Sequence, residues 1–212
     1  MTTNQHVIEP ISRIVLASSS PRRKELVASL DLSLPVYILS TDADETVLDH
    51  WTPQSTVEEL SLRKATAALA MLRERENKPA GAFDLIIAAD TIVALDGQIL
   101  GKPRDDDEAA SMLERLSGKQ HDVFTGIACI AADSGKTLVA SRRTKVKMKE
   151  LGSERIRRYV ATGEPRDKAG SYGIQGLGST LVEEIEGCYF NVVGLPLSLL
   201  SDMLEQYGIR VL

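Results

Sequence analysis

The sequence predicts an α/β fold built on a mixed sheet, and three observations lead there. Short apolar runs rich in β-branched residues are interspersed with helix-length, capped segments along the chain. Hairpin-type turns join several of the strand candidates, which excludes a purely parallel sheet. The 212 residues suffice for one large domain or two small lobes sharing a core.

The elements follow in order. "RIVLA" (13–17) is a short apolar strand. A helix is expected from about Pro21 to Leu30, with Ser20 as its N-cap and Leu26, Val27 and Leu30 on one face. "LPVYILS" (34–40) is a second strand, and the acidic 41–53 a loop. Ser55 with Glu58 has the pattern of a capping box opening a long helix that ends near "ENKPAG". "FDLIIAADTIVAL" (83–95) reads as a buried strand, Asp96-Gly97 as a hairpin turn, and "QILGKP" as its return. "DDDEAASMLERLSG" is a capped helix stopped by Gly118. "HDVFTGIACIAA" and "TLVASRRTKVKMKEL" are strands about a "DSGK" turn, followed by a short helix, "SERIRRYVATGEP". "DKAGSYGIQGLGS" is a glycine-rich loop, "TLVEEI" and "CYFNVVGL" flank a Glu186-Gly187 turn, and a helix starting at Pro196 closes the chain. A lobe boundary is expected near 103–107 or near 150–153.

Composition narrows the function classes. The net charge of −5 disfavours a general binder of nucleic acid or anionic membrane. Two cysteines, Cys129 and Cys188, with no CxxC fit a reduced, cytoplasmic protein. Three scattered histidines argue against histidine-ligated zinc. No apolar run reaches the roughly 18 residues of a membrane span, and "MTTNQHVIEPISR" lacks the apolar core of a signal peptide.

Function is best sought where residues violate the packing pattern. Arg22, Arg23 and Lys24 crowd the first turn of a helix, the positive end of its dipole, directly after Ser18, Ser19 and Ser20. Such a turn suits an anion, with arginine forks matched to phosphate; the plain alternative is a solvated basic turn. Lys64 falls inside the stripe Val57, Leu60, Ala68 and Met71, as a functional cation or a snorkelling stem. Asp90, with Thr91, interrupts an otherwise apolar 85–95; a mid-strand carboxylate needs a partner or a metal. The Asp96-Gly97 turn pairs Thr91 with Lys102, placing Lys102 beside Asp90 on the ladder but on the opposite face unless a bulge or strand end turns it. Glu45 or Asp44 in the acidic loop is a candidate to join Asp90 around a hard divalent ion. Gln175, among four glycines, carries the donors and acceptors needed to read a base edge; a mobile loop is the alternative. Together these residues describe a nucleoside triphosphate site.

The stretches "LASSSPRRKEL", "ADTIVALDGQILGKPRDDDEAASMLERLSGKQHDVFTG" and "DKAGSYGIQGLGSTLVEEIEGCYFNVVGLPL" resemble the Maf family of nucleotide pyrophosphatases, over nearly the whole chain from Ile14 to Leu204. The resemblance implies an elongated mixed sheet with flanking helices, two lobes around a cleft and a likeness to inosine triphosphatase. It implies one Maf-like domain over 1–212 with a disordered tail of about 1–11. The implied reaction is hydrolysis of the α–β bond of a nucleoside triphosphate to monophosphate and pyrophosphate, with Mg²⁺ or Mn²⁺ and a homodimer. Carried over residue by residue, Ser18, Arg22 and Arg23 form the phosphate loop. Glu45 and Asp90 hold metal, Lys64 and Lys102 are the site lysines, and Asp90 is the proton acceptor. Arg22, Thr91 and Gln175 match the branch that prefers dTTP and UTP. The branch for 7-methyl-GTP has tryptophan, glutamine and glutamate there. A 7-methyl-GTP pyrophosphatase and a non-catalytic nucleotide-binding regulator of cell division are the alternatives.

Overall fold

The computed structural model describes residues 11–75 and 83–212. The expected tail and the expected "ENKPAG" helix end therefore lie outside the described residues, except for Ile11. A single mixed sheet organises the chain. Strand β1 (Arg13–Leu16) is buried because parallel neighbours cover both of its edges, β2 (Val36–Ile38) and β3 (Asp84–Leu95). β3 then pairs antiparallel with β5 (Gln120–Ala131), β5 with β6 (Thr137–Met148), and β6 with β7 (Val182–Glu186). The short β4 (Gln98–Leu100) folds back on the end of β3 through Asp96-Gly97, both at positive φ as a two-residue hairpin turn requires.

Helices cover the sheet. The first, α1 (Pro21–Ala28), is capped by Ser20, whose side chain accepts from the Arg23 N–H. The long α2 (Pro53–Arg75) starts two residues before the expected box. Thr52 is its cap: the Thr52 hydroxyl accepts from the Ser55 N–H at 3.1 Å, and the Ser55 hydroxyl accepts from the Thr52 N–H at 2.9 Å. Pro53 fits the first helical position, where no N–H is needed. Next come α3 (Asp106–Leu116), capped by Asp105, and α4 (Ser153–Val160). "CYFNVVGL" contains the short helix α5 (Tyr189–Val193), and α6 (Leu197–Glu205) closes the fold. Among the described residues no helix is long and apolar enough to cross a membrane.

The core divides along β3. Its first half is held between two apolar layers: Ile86 and Ala88 meet Ala65 and Ala68 of α2, while Leu85 and Ile87 meet α1 and α6. Its last residues, Val93 and Leu95, belong to a separate cluster with α3 and α4. Asp90 and Thr91 lie where these clusters meet, in the middle of a strand that runs through both.

His121 on β5 is 3% exposed, and its Nε2 lies 2.7 Å from the Tyr172 hydroxyl. Burial pushes its pKa from 6.5 to about 4, with Asp122 opposing the shift. Above pH 6.5 the ring is neutral in both folded and unfolded chains. Between 6.5 and about 4 only the unfolded chain gains the proton, so stability falls across that window. Lowering the pH from 7 to 4 is expected to cost about 3 kcal/mol through this residue. Urea unfolding at both pH values checks it: His121→Gln should remove most of the difference, and an equal slope in both proteins would refute the assignment.

Candidate active site

The turn after β1 carries two inward cations, and distinct partners divide them. Arg23 runs under the site: its Nε donates to the Gly194 carbonyl at 2.8 Å and its Nη2 to the Thr91 hydroxyl at 3.0 Å. Thr91 Oγ1 is in turn 2.9 Å from Thr125 Oγ1, and Thr125 donates to the Asn191 carbonyl. Burial lowers the Arg23 pKa from its ordinary value, and the negative charge of Asp90 works against that shift. Arg22 instead reaches Asp167 at 3.1 Å. Ser18 is buried and accepts from the Ser20 N–H at 3.2 Å, which holds the turn's shape.

Asp90 is not left unpaired in the sheet. Lys64 Nζ donates to its Oδ1 at 2.5 Å and lies 2.6 Å from Glu45 Oε1. The α2 stripe explains the pairing: Val57, Leu60 and Ala68 are buried against the sheet, so Lys64 between them must point there too. Its side chain is 16% exposed and that of Asp90 11%, so the ion pair is only partly reached by water. Such a pair is electrostatically strong, and removing one partner strands the other. The hydrogen bond from Lys64 holds the Glu45 carboxyl below its ordinary pKa, against the effect of burial; Lys102 and Arg23 add smaller attractions.

Lys102 lies beyond the end of β4 and so leaves the ladder before register confines it to the wrong face. It lines the same cleft as Asp90, as do Ser18, Arg22, Arg23, Glu45, Lys64, Thr91 and Gln175. Of the residues singled out by the sequence, Lys24 and Asp44 do not line this cavity. The Asp44 carboxylate accepts from the Thr46 N–H and hydroxyl and pairs with Arg63 at 3.6 Å, so Glu45 is the acid of this loop that reaches Asp90's partner.

Two residues the sequence did not single out also shape the cleft, Lys168 within it and Asn191 behind its wall. Lys168 enters it with a side chain only 14% exposed, its ammonium held by Asp167 at 2.7 Å and the Glu164 carbonyl at 2.6 Å. Asn191 is fully buried and donates to the Val123 carbonyl and the Thr144 hydroxyl, anchoring the segment whose Gly194 carbonyl holds Arg23. Lys168 stands at the start of the glycine-rich stretch, where no apolar period marks a charge as out of place. Nothing in the sequence near Asn191 breaks an apolar period clearly enough to mark it.

The arrangement offers five cations, three carboxylates and a helix N-terminus around one cavity, which suits a polyanion and a hydrolytic water. Known proteins agree with this chemistry. The profile of the family described as Maf-like protein matches residues 13–207. A protein of Pelotomaculum thermopropionicum named dTTP/UTP pyrophosphatase is 48% identical over 202 residues, 95% of this chain and 100% of the relative. Proteins with the same name from Desulforamulus reducens and Bacillus cereus are each 46% identical; they align with 93% and 94% of this chain and with 98% and 97% of their own lengths. A solved nucleoside-triphosphatase (dITP/XTP pyrophosphatase) of Mycobacterium abscessus superimposes with a TM-score of 0.45 at 16% identity, covering 92% of this chain and 97% of that one. The family match over nearly the whole described chain, and near-half identity along full-length relatives, place this protein in the Maf family.

Proposed function

We propose that this chain is a nucleoside triphosphate pyrophosphatase that hydrolyses the α–β bond of dTTP and UTP, releasing the monophosphate and pyrophosphate. The observation that carries the reading is the Lys64–Asp90 pair at 2.5 Å in a cleft shared with Arg23 and Lys102. The relatives named dTTP/UTP pyrophosphatase support the choice of substrate.

In this reading the triphosphate lies along the serine-arginine turn, where Ser18 and Arg22 bind it. Asp90 accepts the proton of the water that attacks the α-phosphorus in line. Arg23, Lys64 and Lys102 stabilise the charge that moves onto the leaving pyrophosphate; removing one of them should cost about 3 kcal/mol of transition-state energy. Thr91 orients Arg23 through their hydrogen bond. Gln175 faces the base.

A divalent cation fits the donor set. Glu45 and Asp90 are hard oxygen donors, and they already share one positive centre, the Lys64 ammonium. Among the described residues no cluster of three or more histidine, cysteine or acidic side chains could hold a metal ion. Phosphate oxygens and water would therefore complete the shell. Bound there, Mg²⁺ or Mn²⁺ would neutralise the triphosphate and acidify a water.

A panel of nucleoside triphosphates with product analysis tests the reading. Pyrophosphate with dTMP or UMP is expected. Orthophosphate, or binding without turnover in excess Mn²⁺, would refute it, and fastest turnover of 7-methyl-GTP would move the chain to that branch. Gln175→Glu is expected to lower selectivity for UTP about tenfold while kcat stays within a factor of about three. Steady-state kinetics on UTP and GTP measures both.

A further inference from the structure

The glycine-rich loop is not loose. Its turns wrap the carboxylate of Glu164, the residue after Gly163 at the end of the α4 segment. Glu164 Oε2 accepts from the Leu177 N–H at 3.0 Å, and Oε1 accepts from the Gly178 N–H at 2.9 Å. The Tyr159 hydroxyl donates to the same Oε1 at 2.9 Å and accepts from the Gly173 N–H at 3.3 Å. Gln175 is therefore bracketed: its chain is pinned two residues before it by Tyr159, and two and three residues after it by Glu164.

The glycines are what this wrapping needs. A Cβ at Gly178 would lie 2.3 Å from the Gly173 carbonyl oxygen and 2.6 Å from the Tyr159 hydroxyl. At Gly176, with φ +63°, a Cβ would lie 2.9 Å from Glu164 Oε2. Burial alone would raise the Glu164 pKa, but the donors from Gly178, Tyr159 and Leu177 more than offset it, and the group stays ionised more readily than an ordinary glutamate. Charge-assisted bonds from backbone N–H groups are the stronger kind.

We propose that Glu164 is a positioning residue that fixes Gln175 and, through it, the choice of base. The proposal rests on the reading above in which Gln175 faces the base. Glu164 touches no substrate in this scheme; it holds the backbone on which the base-facing amide is mounted.

Amide hydrogen exchange and a double-mutant cycle test it. In Glu164→Ala the Leu177 and Gly178 amides should exchange at least about tenfold faster than in wild type. Selectivity for UTP over CTP should fall about tenfold, with kcat on UTP within a factor of about three. Gln175→Ala should lose selectivity similarly. The double variant should lose no more than Gln175→Ala alone, because one residue acts through the other. Glu164→Gln keeps one acceptor oxygen and turns an amide toward the other N–H, so it should fall between wild type and alanine; it takes the place of Glu164→Ala if that variant does not fold. Unchanged exchange at Leu177 and Gly178, or losses that multiply in the double variant, would overturn the proposal. If wild type itself makes no UMP from UTP, the functional reading fails instead, and the exchange data alone decide whether Glu164 holds the loop.

Discussion

Asp90→Asn is expected to fold normally and to turn over substrate at least about a hundredfold more slowly, the usual contribution of a general base. Asparagine has nearly the same volume, so the junction between the apolar clusters stays filled. Its side-chain oxygen still accepts from Lys64, whose ammonium also keeps Glu45 at 2.6 Å. What disappears is the negative charge where a mid-strand side chain meets the Lys64 ammonium of α2. Thermal unfolding should shift little, and pyrophosphate release should collapse. Near wild-type rates in that variant would exclude Asp90 as the proton acceptor.

Gly126→Ala should be the most damaging added methyl group among the described glycines. Gly126 pairs with Asp90 across the β3–β5 ladder, directly beneath the first turns of α2. A Cβ there would sit 2.2 Å from the Val57 carbonyl oxygen and 2.5 Å from its carbon. These are backbone atoms of a helix, so no rotamer relieves the overlap and α2 must lift. The expected loss of stability is about 3 kcal/mol or more, the cost of overpacking a rigid contact. Because the same helix carries Lys64, kcat should fall with it. Gly101→Ala, which would meet nothing within 4 Å, is the control. Urea unfolding separates the two variants; a change below about 0.5 kcal/mol in Gly126→Ala would mean that α2 sits higher on the sheet than described.

How far the sequence disclosed this site depended on background. Asp90 and Lys64 stood out because each interrupts an apolar period, and a buried charge is costly enough to be rare without a partner. The hairpin register brought Lys102 near, and its escape from the opposite face followed from β4 ending at Leu100. Where no period exists, the signal vanishes. Glu164 and Asp167 lie in a single 3₁₀ turn and Lys168 directly after it, where charged residues are ordinary, and their importance comes from contacts with residues that lie up to 145 positions away. The mobile-loop reading of 169–179 failed for the same reason: the carboxylate that the glycines enclose lies outside that segment. The cap of α2 was misplaced because Ser55 and Glu58 fit one box while Thr52 and Pro53 fit another, and only the proline's missing N–H distinguishes them. The brief α5 was too short for helical periodicity to emerge.

Running β3 and β5 unbroken through both apolar clusters has a mechanical consequence. A ladder of paired backbone resists bending, so the floor bearing Asp90 and Thr91 works as a beam rather than a hinge. Evolution can then re-tailor the rim of the cavity, at the turn of Arg22 and the segment around Gln175, without displacing the floor beneath it.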